Sequence, residues 1–404
     1  MGRPALPLLV FVLLLLLSGC SGVGYYSQLF AGQLSLLYQR QPIDQLLDNR
    51  STEPELKSQL QKVHAIRQFA INQLALPNSS SYQYYNQLNR SHVLWNVFAT
   101  EEFSVEAKRW CFPIAGCVGY RGYFSQRGAL DYAEQLRGQG YDTFVGGVSA
   151  YSTLGWFADP VLSSFIYRDD AALAALIFHE LAHQQLYKAD DTAFNESFAT
   201  AVEIAGVKRW YQQRAASSRS DGVSDDDAAA ELAANMRRNY HQQRDFVALL
   251  LAARTELAAL YQQDLPPAKM RLYKQAILTG LRDVGYRDFK VRWPGADQYQ
   301  YWFYPRADKQ QRGGGPKNSA GAKALSQNIR VYPQPSNSSN LLAVNNAKLN
   351  TIASYNQWLP AFQALLSECE QDLECFYRRA STLATLDRAT RVRRLQALSP
   401  VQQH

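Results

Sequence analysis

The chain has 404 residues, 47% of them hydrophobic and 19% charged, the composition of a globular protein able to bury a large core in one elaborate domain or two. Its formal net charge of +7 is modest for that length and is not gathered into a basic stripe. A nucleic-acid partner is therefore excluded, and a solvated exterior with loose attraction to anionic membrane faces is expected.

Residues 1–19 read as a signal peptide and not as part of the fold. Arg3 precedes an apolar run from Pro4 to Leu17 that is too short to span a bilayer comfortably, and it ends in Leu17-Ser18-Gly19-Cys20. Leu-Ser-Gly-Cys has the form of a bacterial lipobox, which predicts cleavage before Cys20 and lipidation of its thiol. Ser21 follows the cysteine where an Asp would signal retention at the inner membrane. The expected location is the cell envelope, lipid-anchored at the outer membrane and facing the periplasm. No later segment is apolar for long enough to cross a membrane. Setting Cys20 aside leaves Cys111 with Cys117 and Cys369 with Cys375, each pair C-x5-C. An even count in an oxidising compartment predicts two local disulfides, and neither pair has the tight spacing of a zinc site.

An N-terminal helical region (20–90) opens the mature chain. Apolar residues recur at helical spacing through two segments, split by Pro42 and by the Asn49–Thr52 turn. A β-containing part follows, with strands expected at 92–100 and 142–154 and a helix over Phe124–Gly140 between them. Two helices, 170–188 and 192–213, then form a hairpin around the polar corner Lys188-Ala189-Asp190-Asp191, with Asp191 or Thr192 capping the second. Together 91–215 make a core of small sheet, first helix and return helix. The remainder, 216–404, reads as helical: a long helix from Ser224 to about Tyr261, another over 268–283, an aromatic segment, and helices at the end. Residues 306–340 are rich in Gly, Ser, Asn, Pro and Gln and read as an exposed insertion. The fold class is thus α+β and predominantly helical, without internal repeats. Nothing in the sequence specifies an oligomeric state.

Chemistry enters at His179-Glu180-Leu181-Ala182-His183, an H-E-x-x-H stretch in an otherwise apolar helix. Residues four apart share a helix face, so both imidazoles can meet one metal ion, while Glu180 stands beside it and can take a proton from water. Two imidazoles and a carboxylate suit a single Zn2+ with one position left open. The third ligand is expected on the return helix. At about 1.5 Å of rise per residue, His183 and Glu196 lie at the same level, about 6 Å from the corner, whereas Glu203 is about 10 Å deeper. Glu196 is therefore the expected ligand, and Glu203 the carboxylate that orients a histidine. Leu186 and Ala189 stand where H-E-x-x-H-x-x-G-x-x-H would need Gly and His.

HELAHQ followed by NESFATAVE resembles the signature of thermolysin-like (gluzincin) zinc aminopeptidases, in which the Glu corresponding to Glu196 is the third zinc ligand. GGVSAYSTLGWFADP, the short hairpin and NNAKLNTIASYNQWLPAFQ resemble a family of bacterial proteins classed as aminopeptidases by prediction. The resemblance implies a zincin-like core and a peptide substrate. It also implies that strand 142–154 is an exposed edge pairing with the substrate backbone, with Gly146 and Gly147 allowing close approach; a glycine bulge in a buried strand is the alternative. A Tyr or His donor to the oxyanion is implied too, with Tyr355 and Tyr151 as candidates. The Gly-x-Met-Glu-Asn segment that holds a free amine in those enzymes is absent, so an endopeptidase and an envelope lipoprotein with a non-catalytic zinc site stay open. Asp159, Glu101 and Glu102 are candidates for meeting a substrate ammonium. His241, among Arg and Gln residues, reads as solvated.

Overall fold

The computed structural model describes residues 24–112, 116–150, 152–220, 226–304, 330–331 and 344–399. The signal segment, Cys20, Tyr151 and all of the 306–340 insertion except 330–331 lie outside these residues. A helix over 24–38 (α1) leads through β1 (Gln41–Pro42) into α2 (Ile43–Asp48) and α3 (Pro54–Leu74). Then come β2 (Tyr84–Asn86), β3 (Leu94–Glu101), β4 (Trp110–Phe112), β5 (Gly116–Val118), β6 (Arg121–Tyr123), α4 (Gln126–Gly138), β7 (Tyr141–Val148) and β8 (Val161–Leu162). The two central helices are α5 (Asp170–Gln185) and α6 (Thr192–Ser220). Beyond them lie α7 (Asp226–Leu260), α8 (Pro267–Gly280), a π turn (Leu281–Gly285), α9 (Tyr286–Arg292) and a 3-10 segment (Ala296–Trp302). The short strand β9 (Arg330–Val331) and four helices, α10 (Asn346–Asn356), α11 (Leu359–Glu368), α12 (Leu373–Thr385) and α13 (Arg388–Leu398), follow. Helices dominate and the sheets are small, as the patterning predicts.

The larger sheet has the order β6-β3-β7-β9, all antiparallel. Its period-2 alternation separates two faces. Trp95, Val97, Ala99 and Val145 pack on Ala129, Ala133 and Leu136 of α4. The other face carries Asn96, Phe98, Thr100 and Phe144, and α10 lies against it: Asn350 donates to the Thr100 hydroxyl at 2.8 Å, and Asn345 donates to the Thr143 carbonyl at 3.0 Å. Three expectations are corrected. The strand over 142–154 ends at Val148, because the chain beyond it wraps round Asp159, whose carboxylate accepts from both the N–H and the hydroxyl of Thr153. The 20–90 region is not helical throughout, since β1 and β2 join β8 in a second sheet. Finally, α6 runs on to Ser220, past the expected end at 213.

Helix α5 is apolar all round and buried, as a helix through a core must be. The Asp169 side chain caps it by accepting from the Ala172 N–H at 2.9 Å. Gly206 of α6 lets the two helices approach. A Cβ there would stand 2.7 Å from the Phe178 ring and from a Leu74 methyl.

The corner between α5 and α6 is clamped from several sides. Inside it, Asn195 accepts from the Lys188 N–H at 2.7 Å and donates to the Lys188 carbonyl at 2.8 Å. Asp191 caps α6 through the Phe194 N–H. Its other oxygen accepts twice, at 2.9 and 2.8 Å, from Arg391 of the last helix. The β4–β5 hairpin, closed by a Cys111–Cys117 disulfide, docks on the outside through the Cys117 N–H, which donates to Asp190 at 2.7 Å. A second disulfide joins Cys369 to Cys375 between α11 and α12. Because Arg391 is 3% exposed and the Asp191 side chain 13%, removing the arginine leaves a largely desolvated carboxylate without its cation. Arg391→Ala is expected to cost about 3 kcal/mol in denaturant unfolding, while exposed Arg393→Ala should change stability by less than about 0.5 kcal/mol.

Candidate metal centre and cleft

The α5–α6 hairpin brings His179, His183, Glu196 and Glu203 together. His179 Nε2 lies 3.3 Å and His183 Nε2 3.7 Å from the same Glu196 oxygen. One donor atom from each of these three residues lies within 4.8 Å of the others, so the group could hold a metal ion. Glu203 sits on the other side of the first imidazole, 3.0 Å from His179 Nδ1. With a proton on Nδ1 donated to Glu203, the Nε2 lone pair turns toward Glu196 and His183. All four residues are buried.

The electrostatics of this cluster call for positive charge. Burial pushes the Glu196 carboxyl up, but the charges and hydrogen bonds of His183 and His179 outweigh it and bring it down to about 2. Burial disfavours a charged His179, yet the hydrogen bonds of Glu196 and Glu203 hold its pKa well above the ordinary range. A proton on the imidazole is one way to balance two buried carboxylates, and a divalent cation on the same lone pairs is the other. The donor set of two imidazoles and one carboxylate fits a cation of borderline softness. His183 Nδ1 has no protein partner although it is buried.

Glu180 projects from α5 into a cleft whose lining includes Asn96, Gly146, Gly147, His179 and Tyr355. Burial lifts its carboxyl above the ordinary range, opposed by the two imidazoles and assisted by Glu196 and Glu203. Tyr355, at the end of α10, stacks against His179 with ring centroids 6.1 Å apart. Burial, then Glu196, Tyr120 and Glu180, push its hydroxyl pKa well up, so it stays protonated. The end of α10 is fastened to α6 by Ser197, whose hydroxyl donates to the Tyr355 carbonyl at 3.3 Å and accepts from the Trp358 N–H at 3.1 Å. Asn195, Glu196 and Ser197 thus face three tasks in succession: the corner, the histidine–glutamate cluster and the tyrosine support.

Several further expectations find their places. Gly146 and Gly147 line the cleft, but the edge beside them is taken by β9, with Gly146 opposite Val331 and Gly147 opposite Arg330. Glu102 is engaged by Arg271 at 2.7 and 2.9 Å, and neither it nor Glu101 lines the cleft. His241 is exposed. Asp159 is 2% exposed and lies within electrostatic reach of Glu180. Tyr82, buried beside these two carboxylates with its backbone at φ 63°, was not singled out by sequence.

Asn96 was also missed. It stands on the middle strand with glycine on both sides, Gly122 on β6 and Gly146 on β7. Its Oδ1 is buried and has no hydrogen-bond partner among the described residues. A carboxamide so placed on a cleft floor is available to a bound group. The signal in the sequence is faint, because Gly122 and Gly146 align with one asparagine only once the strand register is known.

A family model described as "Putative aminopeptidase" matches residues 24–311 and 330–395. The chain belongs to this family. No curated protein and no solved structure matches it.

Burial raises the Asp159 carboxyl to about 6, against the hydrogen bonds of Thr153 and with a further push from Glu180. The folded state therefore holds this proton up to about pH 6, whereas the unfolded chain releases it near pH 4. Stability from this group is present below pH 4 and lost as pH rises through 6. Asp159→Asn removes that loss, so its unfolding free energy relative to wild type should rise by on the order of 2 kcal/mol between about pH 4 and pH 7. A difference that stays flat across this range contradicts the assignment.

Proposed function

Taking membership of an aminopeptidase family as the premise, we propose that this protein is a zinc-dependent peptidase of the bacterial cell envelope that hydrolyses peptide bonds at free amino termini. The observation that carries the reading is the meeting of His179, His183 and Glu196 beside a cleft into which Glu180 projects. The hairpin, with a sheet ahead of it, also supports a zincin-like core. The apolar segment, the Leu-Ser-Gly-Cys sequence and two disulfides support an oxidising envelope compartment and a lipid anchor at Cys20.

His179, His183 and Glu196 would hold zinc, with Glu203 fixing the tautomer of His179. Zinc, when bound, supplies a Lewis acid that acidifies water and polarises a carbonyl. Glu180 takes the proton of the attacking water and passes it to the departing amine. Its raised affinity for a proton, due first to burial, suits both steps. Tyr355 remains a hydroxyl at neutral pH and can donate to the oxygen of the tetrahedral intermediate. Asn96 offers a donor and an acceptor to a substrate peptide group.

An endopeptidase is the second reading. Glu180 is the one carboxylate among the described lining of the cleft, and it is already occupied as a base.

Metal analysis of the mature soluble form should find one zinc per chain. Glu196→Ala should weaken zinc binding by about 100-fold or more, and Glu203→Ala by about 10- to 100-fold. Tight zinc in the first variant with loss in the second would reverse their roles.

Glu180→Gln should keep the metal and lose about 100- to 10,000-fold in kcat, because an amide cannot accept the proton. Undiminished turnover removes Glu180 from the mechanism.

Peptides with free amino termini should be cut at the first bond and N-acetylated ones spared. Equal cleavage of both sets gives the endopeptidase reading its place.

A further inference from the structure

Helix α1 presents an apolar stripe to the outside. Tyr26, Phe30, Leu34 and Tyr38 are 48%, 67%, 48% and 93% exposed. They recur every four residues, so each step turns about 40° past a full circle and the four side chains form one slowly winding face. The residues beside them on this face, Ser27, Ala31 and Ser35, are small and exposed. No Asp, Glu, Lys or Arg occurs between Arg3 and Arg40. An ordinary surface helix carries charge on its outer face, and this one carries none.

The exposure does not come from a loosely attached terminus. On the inner side Tyr25 and Leu36 are 7% and 4% exposed. A Cβ at Gly32 would fall 2.2 Å from the Phe124 ring, so the helix lies in close contact with the body of the protein. The Gln28 side chain accepts from the Phe124 N–H at 2.9 Å, and Asn86 donates to the Leu36 carbonyl at 2.8 Å. The Arg121 guanidinium sits 3.9 Å over the Tyr25 ring. These contacts fix the rotation of the helix, and with it the direction in which the stripe faces.

We propose that this stripe lies on the lipid bilayer, so that α1 rests in the membrane interface and sets the orientation of the whole protein. The inference deepens the envelope reading and rests on it. The position of the helix names the occupant: it starts four residues after Cys20, whose acyl chains would hold it at the surface. Tyr26 and Tyr38 at the ends have an apolar ring and a polar tip suited to the headgroup level, with Phe30 and Leu34 between them suited to the acyl boundary. A free interfacial helix turns a charged face to water; here the protein itself covers the side away from the lipid.

The test uses the full chain, purified in detergent from expressing bacterial cells and reconstituted into phosphatidylethanolamine–phosphatidylglycerol vesicles with brominated acyl chains. Phe30→Trp should gain fluorescence that bromine quenches beyond the wild-type background. Leu272→Trp, at a site 65% exposed on α8, should gain fluorescence that is not quenched. Added fluorescence in the Phe30→Trp variant as insensitive to bromine as that of Leu272→Trp overturns the proposal, and so does a stripe protected by self-association without lipid. Mass spectrometry of the amino-terminal peptide reads the anchor separately. Acylated Cys20 without quenching in the Phe30→Trp variant leaves the envelope reading standing and removes this one. Quenching without acylation supports the lipid-lying helix and removes the acyl anchor.

Discussion

The hydrogen bond between His179 and Glu203, with Glu196 on the far side of the same imidazole, is the interaction on which the rest of the site depends. It can form only if two helices run antiparallel, close together and in one register. A slip of one residue on either helix turns its side chains by about 100° and separates the group. Gly206 meets the demand for closeness. The demand for register falls on the corner, and this explains why the corner has so many fastenings: Asn195 inside it, Asp191 as helix cap and ion-pair partner of Arg391, and the disulfide hairpin outside. Each contact is modest by itself. Together they hold two buried carboxylates where a cation can balance them.

The sheet solves a different problem. A cleft beside buried charges needs a wall that is rigid and yet does not fill the space. Strand β3 provides it by pairing on both sides and burying Trp95 and Val97 against α4. On the opposite face, the glycines flanking Asn96 keep the floor low. Helix α10 connects the wall to the histidine–glutamate cluster, pinned to the sheet by Asn345 and Asn350 and presenting Tyr355 to His179 at its end. The position of the tyrosine is therefore set by the same elements that set the histidine.

Much of this was legible because helices have a fixed rise and pitch. The i, i+4 histidines and the level-matching of Glu196 against His183 need only local geometry, and the separate location of Glu203 follows from the same arithmetic. The helical character of most of the chain follows from periodicity. What escaped depends on long-range pairing. Arg391 meets Asp191 across 200 residues, and nothing near either one announces the other. Asn96 gains its meaning from the register of three strands. The end of β7 at Val148 is set by Asp159, a group more than ten residues away. The two residues of β9 sit in a stretch whose composition reads as exposed loop, and backbone pairing of this kind needs no side-chain pattern.

If the cleft takes a peptide, as proposed, charge bears on which end it receives. A divalent cation would offset Glu196 and Glu203, leaving Glu180 as the negative group facing the substrate. An ammonium brought to Glu180 would hold that carboxylate in its ionised form by direct pairing, and a paired carboxylate is a poor base. An exopeptidase in this fold must therefore seat the amine elsewhere. Of the three carboxylates considered from sequence, Asp159 is the one within reach of Glu180's charge, and its own ionisation is suppressed chiefly by burial. A cation in the cleft would restore that ionisation, so substrate amine and Asp159 would each favour the charged form of the other. The neutral amide of Asn96 has no such preference and suits a peptide group equally well from an internal segment. On the proposed reading, specificity for a free terminus would thus turn on whether the amine can reach the field of Asp159, which is not among the described lining of the cleft.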